Sequence, residues 1–387
     1  MDEALARWLV GPEGADALRA ASDQADPSSL AAATALRKRW QPEQAAAALQ
    51  QESLRRRARS KFGERAQSLF FTADGLEQAT RAGVAAWRAE RFVAAGARRV
   101  VDLGCGLGAD AVAFADAGLE VVAVERDPAA AVFAAANLGE RGRVVCADAE
   151  SVAGDLLGPN DAVFLDPARR TDRGRSWRLA DLSPSWEFTL ATLGERLGCI
   201  KAGPGFPTNQ LPGHLAATWV SDHGDLVELA FWSSAFGEPG HRSAVLLPGG
   251  AELVAGARHD PPIGELGAVL YEPDPAVIRS GGVAALAERL GARALSPGIA
   301  YLTADERVET PFATAFEVLD VLAFDERRLR AWVREQGIGT LEIKVRGLDV
   351  DPAQLRRRLK PSGRRAATLM LTPLGVGARA VEVRRLG

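Results

Sequence analysis

Four carboxylates recur at one kind of place in this 387-residue chain. Asp102, Glu125, Asp148 and Asp166 each stand at or just past the end of a short apolar run. Beside the first lie three glycines, Gly104, Gly106 and Gly108. Glycine has no Cβ, so backbone there can turn sharply and let a ligand approach its N–H groups closely. Asp110 to Ala117 have helical spacing, so the glycines join a strand to a helix start, where oriented N–H groups collect. A carboxylate at Asp102 suits a ligand with a cationic amino-acid head. Glu125, 21 residues after Gly104, is placed to accept hydrogen bonds from both hydroxyls of a ribose. Asp148 is placed to take the amino group of an adenine.

The same glycines also fit a dinucleotide fingerprint through Gly104, Gly106 and Ala109. The three carboxylates and a fourth signal, Asp166-Pro167-Ala168-Arg169, favour the nucleoside with a cationic head. No His, Lys or Tyr arrangement for hydride transfer accompanies the turn.

The elements that position these residues alternate. Strands are predicted near 99–103, 120–124, 143–147, 161–165 and 198–202, with helices such as Pro128 to Leu138 and Trp186 to Leu197 between them. That alternation implies right-handed crossovers and a parallel sheet. Asp225 to Trp232 and Arg242 to Leu247 follow with no room for a helix between them, and Gly237-Glu-Pro-Gly240 marks the expected turn of a terminal hairpin. Before the sheet, residues 1–60 read as helices. Ser68 to Thr80 leads into it, with Phe71, Thr72 and Gln78 as candidates to face the ligand and Thr72 equally a helix cap. After it, residues 258–263 form the expected link to a small α+β region.

These motifs resemble those of Rossmann-like S-adenosylmethionine-dependent methyltransferases: Asp102-x-Gly-x-Gly-x-Gly108 as the first, Glu125 the second, Asp148 the third, Asp166-Pro167 the fourth. The Asp-Pro-Ala-Arg-Arg form of the fourth, with Tyr271-Glu-Pro-Asp-Pro-Ala later, is similar to bacterial members that carry a C-terminal THUMP-like domain. The resemblance implies a seven-stranded sheet of the methyltransferase class, with an N-terminal helical region (1–66), a cofactor-binding domain (67–258) and a THUMP-like α+β domain (264–387). It implies S-adenosyl-L-methionine held by Asp102, Gly104, Cys105, Gly106, Gly108, Glu125, Arg126, Asp148, Ala149 and Asp166. Asp166, Pro167 and Arg169 would meet the substrate. THUMP-type modules are associated with RNA modification, so the expected substrate is RNA, at a tRNA or rRNA base nitrogen. In N-methyltransferases the fourth motif continues with a second proline and an aromatic ring; Ala168 and Arg169 stand there instead. The alternatives are a small-molecule or protein methyltransferase, and a non-catalytic RNA-binding protein that holds the cofactor as a structural ligand.

Charge and composition bear on these readings. The net charge is −3, but residues 37–65 hold nine Lys/Arg against three Glu, and residues 325–387 hold fifteen against seven acids. Two basic ends around an acidic middle suit a polyanion; the arginines at 55–59 and Lys61 equally suit the end of a helix dipole. The loop 169–178, with arginines around Trp177, suits an unstacked nucleotide. Three cysteines without metal spacing read as small core residues in a reducing compartment, and Cys199 stands too early in its strand region for covalent catalysis. No apolar run is long enough to span a membrane, the acidic start does not read as a signal peptide, and the histidines show no metal pairing. A cytoplasmic protein without metal is expected.

Overall fold

In the computed structural model the described residues are 1–169, 179–194, 196–256, 259–375 and 377–387, with only the backbone of Arg169. The arginine- and tryptophan-containing loop therefore lies outside the described residues, as does part of the 258–263 link.

The chain opens with helices α1 (Glu3–Val10), α2 (Pro12–Ser22), α3 (Leu30–Leu36), α4 (Pro42–Phe62), α5 (Ala73–Gln78) and α6 (Ala82–Ala94). Sheet and helix then alternate: β1 (Arg99–Leu103), α7 (Ala109–Asp116), β2 (Glu120–Glu125), α8 (Pro128–Leu138), β3 (Gly142–Cys146), α9 (Ala149–Leu156) and β4 (Ala162–Leu165). A two-residue ribbon, β5 (Ala168–Arg169) with β6 (Leu182–Ser183), precedes α10 (Trp186–Leu193) and β7 (Gly198–Ala202). Next come β8 (Ala216–Asp222), β9 (Asp225–Trp232), β10 (Arg242–Leu247) and β11 (Ala251–Val254). The tail comprises β12 (Val269–Pro273), α11 (Pro275–Ser280), α12 (Val283–Leu290), β13 (Arg293–Ala294), β14 (Leu302–Ala304), β15 (Ala313–Ala323), α13 (Glu326–Glu335), β16 (Ile338–Val345), α14 (Pro352–Leu359), β17 (Arg365–Leu374) and β18 (Gly377–Arg385).

The first sheet runs β11-β10-β8-β9-β7-β4-β1-β2-β3, nine strands where seven were expected. Strands β3, β2, β1, β4 and β7 are parallel, and β9 is antiparallel to β7. Apolar runs such as Val100-Val101 and Ala162 to Leu165 are fully buried, as strands covered on both faces must be. The expected hairpin of 225–232 with 242–247 does not form, because β8 lies between them. The reason is the turn His223-Gly224, whose φ values of 54° and 84° suit a two-residue connection between β8 and β9.

The chain divides into two compact units, Met1–Ala217 with Glu228–Gly240, and Thr218–Val227 with His241–Gly387. In the first, the N-terminal helices share a core with α8, through Leu9, Leu54, Phe71, Leu107 and Phe133. The cations at the end of α4 serve this packing. Arg55 donates to the Leu69 carbonyl and lies 4.9 Å from the Phe70 ring centroid; Arg56 pairs with Glu52; Lys61 donates to the carbonyls of Leu76, Glu77 and Ala79. In the second unit the sheet β13-β14-β12-β15-β18-β17-β16 packs one face on α13 and α14 through Leu329, Trp332, Leu355, Leu359 and Leu369. Of the cysteines, Cys199 is buried and Cys105 half-buried, but Cys146 is exposed, where a core residue was expected; it ends β3 beside the edge of the sheet.

Among the described residues no helix is long and apolar enough to cross a membrane, and no group of three His, Cys, Asp or Glu is placed to hold a metal ion.

Candidate active site

The carboxyl ends of β1, β2, β3 and β4 meet around a cavity of about 600 Å³. Gly104, Gly106 and Gly108 take φ of 100°, 54° and 79°, values that L side chains rarely adopt, so the turn requires glycine. Gly104 has a second reason: a Cβ there would sit 3.3 Å from the Asp166 carbonyl oxygen, so the first and fourth motif loops touch through backbone. Gly104 and Cys105 both donate to the Val124 carbonyl, which ties the turn to the end of β2. Gly108 then starts α7.

Glu125 closes this arrangement. Its Oε2 accepts from the Gly106 N–H at 3.0 Å and its Oε1 from the Asp127 N–H at 2.8 Å, which fixes the carboxylate at the cavity wall. Burial raises its pKa, against the lowering effect of those two N–H groups. Asp148 caps α9 by accepting from the Glu150 N–H at 2.9 Å, and also lines the cavity. Arg126 reaches across to the Ser183 hydroxyl at 2.9 Å. Phe71, Thr72 and Gln78 are part of the wall, and Thr72 caps α5, as one of the two sequence expectations for it has it.

The structure thus brings Gly104, Cys105, Gly106, Glu125, Arg126, Asp148, Ala149 and Asp166 to one cavity. Asp102, Gly108 and Pro167 are not part of its wall, and the Arg169 side chain lies outside the described residues. Asp102 is fully buried behind the glycine turn, and neither carboxylate oxygen has a hydrogen-bond partner. Burial, with Asp110 and Asp166 close by, pushes its pKa well above the usual carboxylate range. A buried, orphaned carboxylate is costly to keep unless something outside the chain answers it.

Sequence reasoning missed the groups beneath. Lys201, on β7, donates from Nζ to Asp166 Oδ2 at 2.5 Å. Burial alone would lower its pKa, but Asp166, Asp110 and Glu228 together raise it. Arg88, fully buried on α6, donates to Asp110 Oδ1 and Glu228 Oε2, both at 2.9 Å, and lies 4.8 Å from the Phe164 ring centroid. Thr80 adds a 2.6 Å hydrogen bond to Asp110 Oδ2, and the two donors and Lys201 hold the Asp110 pKa low despite its burial. Both cations had a signal in the sequence. Arg88 falls four residues from Val84 and from Phe92, on the apolar face of its helix, and Lys201 interrupts an apolar strand.

A family model for a methyltransferase domain matches residues 101–164 of this chain. An uncharacterized S-adenosylmethionine-dependent methyltransferase of Mycobacterium tuberculosis, in strains CDC 1551 / Oshkosh and H37Rv, is 35% identical over 338 residues, 84% of this chain and 92% of that protein. The chain belongs to the S-adenosylmethionine-dependent methyltransferases. S-Adenosyl-L-methionine is accordingly the cofactor of this methyltransferase. A THUMP domain-like model matches residues 313–385 of the enzyme, and a model for a domain of unknown function matches residues 2–58. A crystal structure described as "putative methyltransferase from Porphyromonas gingivalis W83" aligns over the whole of both chains, with a TM-score of 0.79 and 24% identity, and shares the methyltransferase's fold.

Proposed function

We propose that the methyltransferase acts on RNA, with the cavity at the ends of β1 to β4 as its methyl-transfer site. The observation that carries the RNA reading is the cationic surface of the segment matched by the THUMP-like model. Helices α13 and α14 turn Leu329, Trp332, Leu355 and Leu359 inward and leave Arg327, Arg328, Arg334, Arg356 and Arg357 exposed, and Arg364 adds to this surface. Exposed arginines at this density suit a phosphate backbone. Among the N-terminal cations, Arg55, Arg56 and Lys61 do not extend the argument, since they are engaged inside the fold.

The residues at the cavity fit the cofactor. In this reading Glu125 takes the ribose hydroxyls, Asp148 and Ala149 the adenine edge, and Gly104, Cys105 and Gly106 present backbone close to the amino-acid head. The orphaned Asp102 carboxyl, whose burial favours its protonated form, would ionise beside a cationic head and pair with it. Arg126 flanks the ribose side. The bound cofactor supplies an already activated methyl group, so the chain's own task is alignment of the acceptor and management of one proton. Asp166, at the cavity wall, would meet the acceptor there, with Pro167 beside it in the chain and Arg169 two residues further on. The domain limits 67–258 for this site and 264–387 for the RNA-facing part, after a helical region 1–66, belong to the same proposal.

The test is transfer of labelled methyl to fractionated cell extract, with total RNA, protein and small molecules separated afterwards. Label in RNA, and loss of RNA binding with a flatter salt dependence in Arg327→Gln/Arg356→Gln/Arg357→Gln, is the expected result. Label confined to protein or to small molecules refutes the reading.

A further inference from the structure

The N-terminal helices reach the cavity itself. Gln50 and Leu54 of α4 are part of the same wall as Glu125 and Asp148, and so are Phe71 and Thr72 from the segment that follows. Leu69 to Thr72 lie in no helix or strand, so their backbone N–H and C=O groups need partners from elsewhere. Side chains on two helices supply them. Gln51, fully buried on α4, accepts from the Phe71 N–H at 2.9 Å and donates to the Phe71 carbonyl at 3.1 Å. Arg55, one turn further along α4, donates to the Leu69 carbonyl. From the other side Asn137, on α8, accepts from the Phe70 N–H at 2.7 Å and donates to the Phe70 carbonyl at 3.0 Å. Its amide nitrogen also donates to the carbonyl of Leu107, inside the glycine turn, at 2.9 Å. Gly75 of α5 packs on that turn so closely that a Cβ would lie 2.6 Å from the Leu107 side chain.

We propose that the helical region matched at residues 2–58 is a working part of the cofactor site, with Gln51 as the residue that positions Phe71 and Thr72 at its wall. The proposal rests on the reading that S-adenosyl-L-methionine occupies this cavity. Gln51 is not itself part of the wall, so it acts through Phe71. A primary amide both donates and accepts, which lets one side chain answer the N–H and the C=O of a single residue. With both bonds made, the path of the backbone into Thr72 and α5 is set before a ligand arrives, and binding has less chain to order. Without them the two Phe71 groups are buried and unpaired, and the segment gains by opening to water. Each bound cofactor must then close it again, at the expense of affinity. The Phe71 ring, 5.5 Å from that of Phe62, keeps its apolar contact in either case, so the loss falls on the wall and not on the core.

The experiment uses the full chain, calorimetric titration with S-adenosylhomocysteine and amide hydrogen exchange. Gln51→Leu should raise Kd about tenfold or more. The amides of residues 69–72 should exchange faster in it, while those of β1 and β2 keep wild-type protection. Arg56→Gln is the control. It loses bonds to Glu52 and to the carbonyls of Gln24 and Ala25, all within the helical region, so it should unfold more easily but keep Kd within about twofold. Wild-type affinity in Gln51→Leu, or equal weakening in both variants, overturns the proposal. Gln51→Glu serves if the leucine variant does not fold. A protonated carboxyl can make both bonds and a carboxylate only accepts, so the ratio of its Kd to that of the wild type should rise with pH. A ratio independent of pH overturns the proposal as well. Glu125→Gln separates the two failures: weakened binding there beside unchanged binding in Gln51→Leu leaves the cavity reading standing, and unchanged binding in both overturns it too.

Discussion

Glu125→Gln is the change that separates a ribose-binding carboxylate from one that only braces the glycine turn. Both oxygens already accept backbone N–H groups, from Gly106 and Asp127, so the side chain cannot swing away and its orientation toward the cavity is fixed. A carboxylate has about four acceptor positions, which leaves capacity for the two ribose hydroxyls. The amide nitrogen of glutamine accepts nothing, so the variant loses one brace and one charge-assisted bond to the ligand. The lost brace costs about 1 kcal/mol of stability, and the lost ligand bond about 1.5–3 kcal/mol of affinity, or roughly 10- to 150-fold in Kd. Calorimetric titration with S-adenosylhomocysteine and with its 2′-deoxy analogue distinguishes the two contributions. The wild type should prefer the ribose form, and Glu125→Gln should lose most of that preference while binding the deoxy form nearly as well as the wild type does. If both proteins prefer the ribose form equally, Glu125 does not touch the ribose and the reading of the second motif fails.

Two further changes test the groups beneath the cavity. Arg88→Met removes a fully buried cation and strands Asp110 and Glu228, so it should cost about 3–5 kcal/mol, read as a fall in the urea midpoint; a change under about 1 kcal/mol would show the network to be dispensable. Asp102 has a raised pKa, so the folded chain holds a proton that the unfolded chain releases near pH 4, and its contribution to stability falls as pH rises toward that raised value. Asp102→Asn removes that titration, so the wild type should lose stability relative to the variant as pH rises from about 4 in urea unfolding; a constant difference refutes the burial argument.

Much of the site could be read from the sequence because each of its residues announces itself locally. Gly104, Gly106 and Gly108 are conformational requirements, and Glu125 and Asp148 each follow a short apolar run, the first with the helix cap Asp127 two residues on and the second itself the cap. What the sequence concealed was set by pairing between strands. The segment Ala216–Asp222 is buried throughout but carries Thr218, Ser221 and Asp222, so it reads as a link and not as a strand, although His223-Gly224 after it is a hairpin signal. Lys201 shows the same limit at the site itself. A lysine inside an apolar strand demands a partner, but nothing nearby in the chain names one. The register of β4 on β7 aligns Leu165 with Ile200, which sets the next residue of each strand, Asp166 and Lys201, side by side across 35 residues of sequence. One residue of slip would turn Lys201 to the opposite face of the sheet, away from Asp166. The ion pair therefore follows from register, which apolar pattern and turn residues do not specify for two strands separated by a helix.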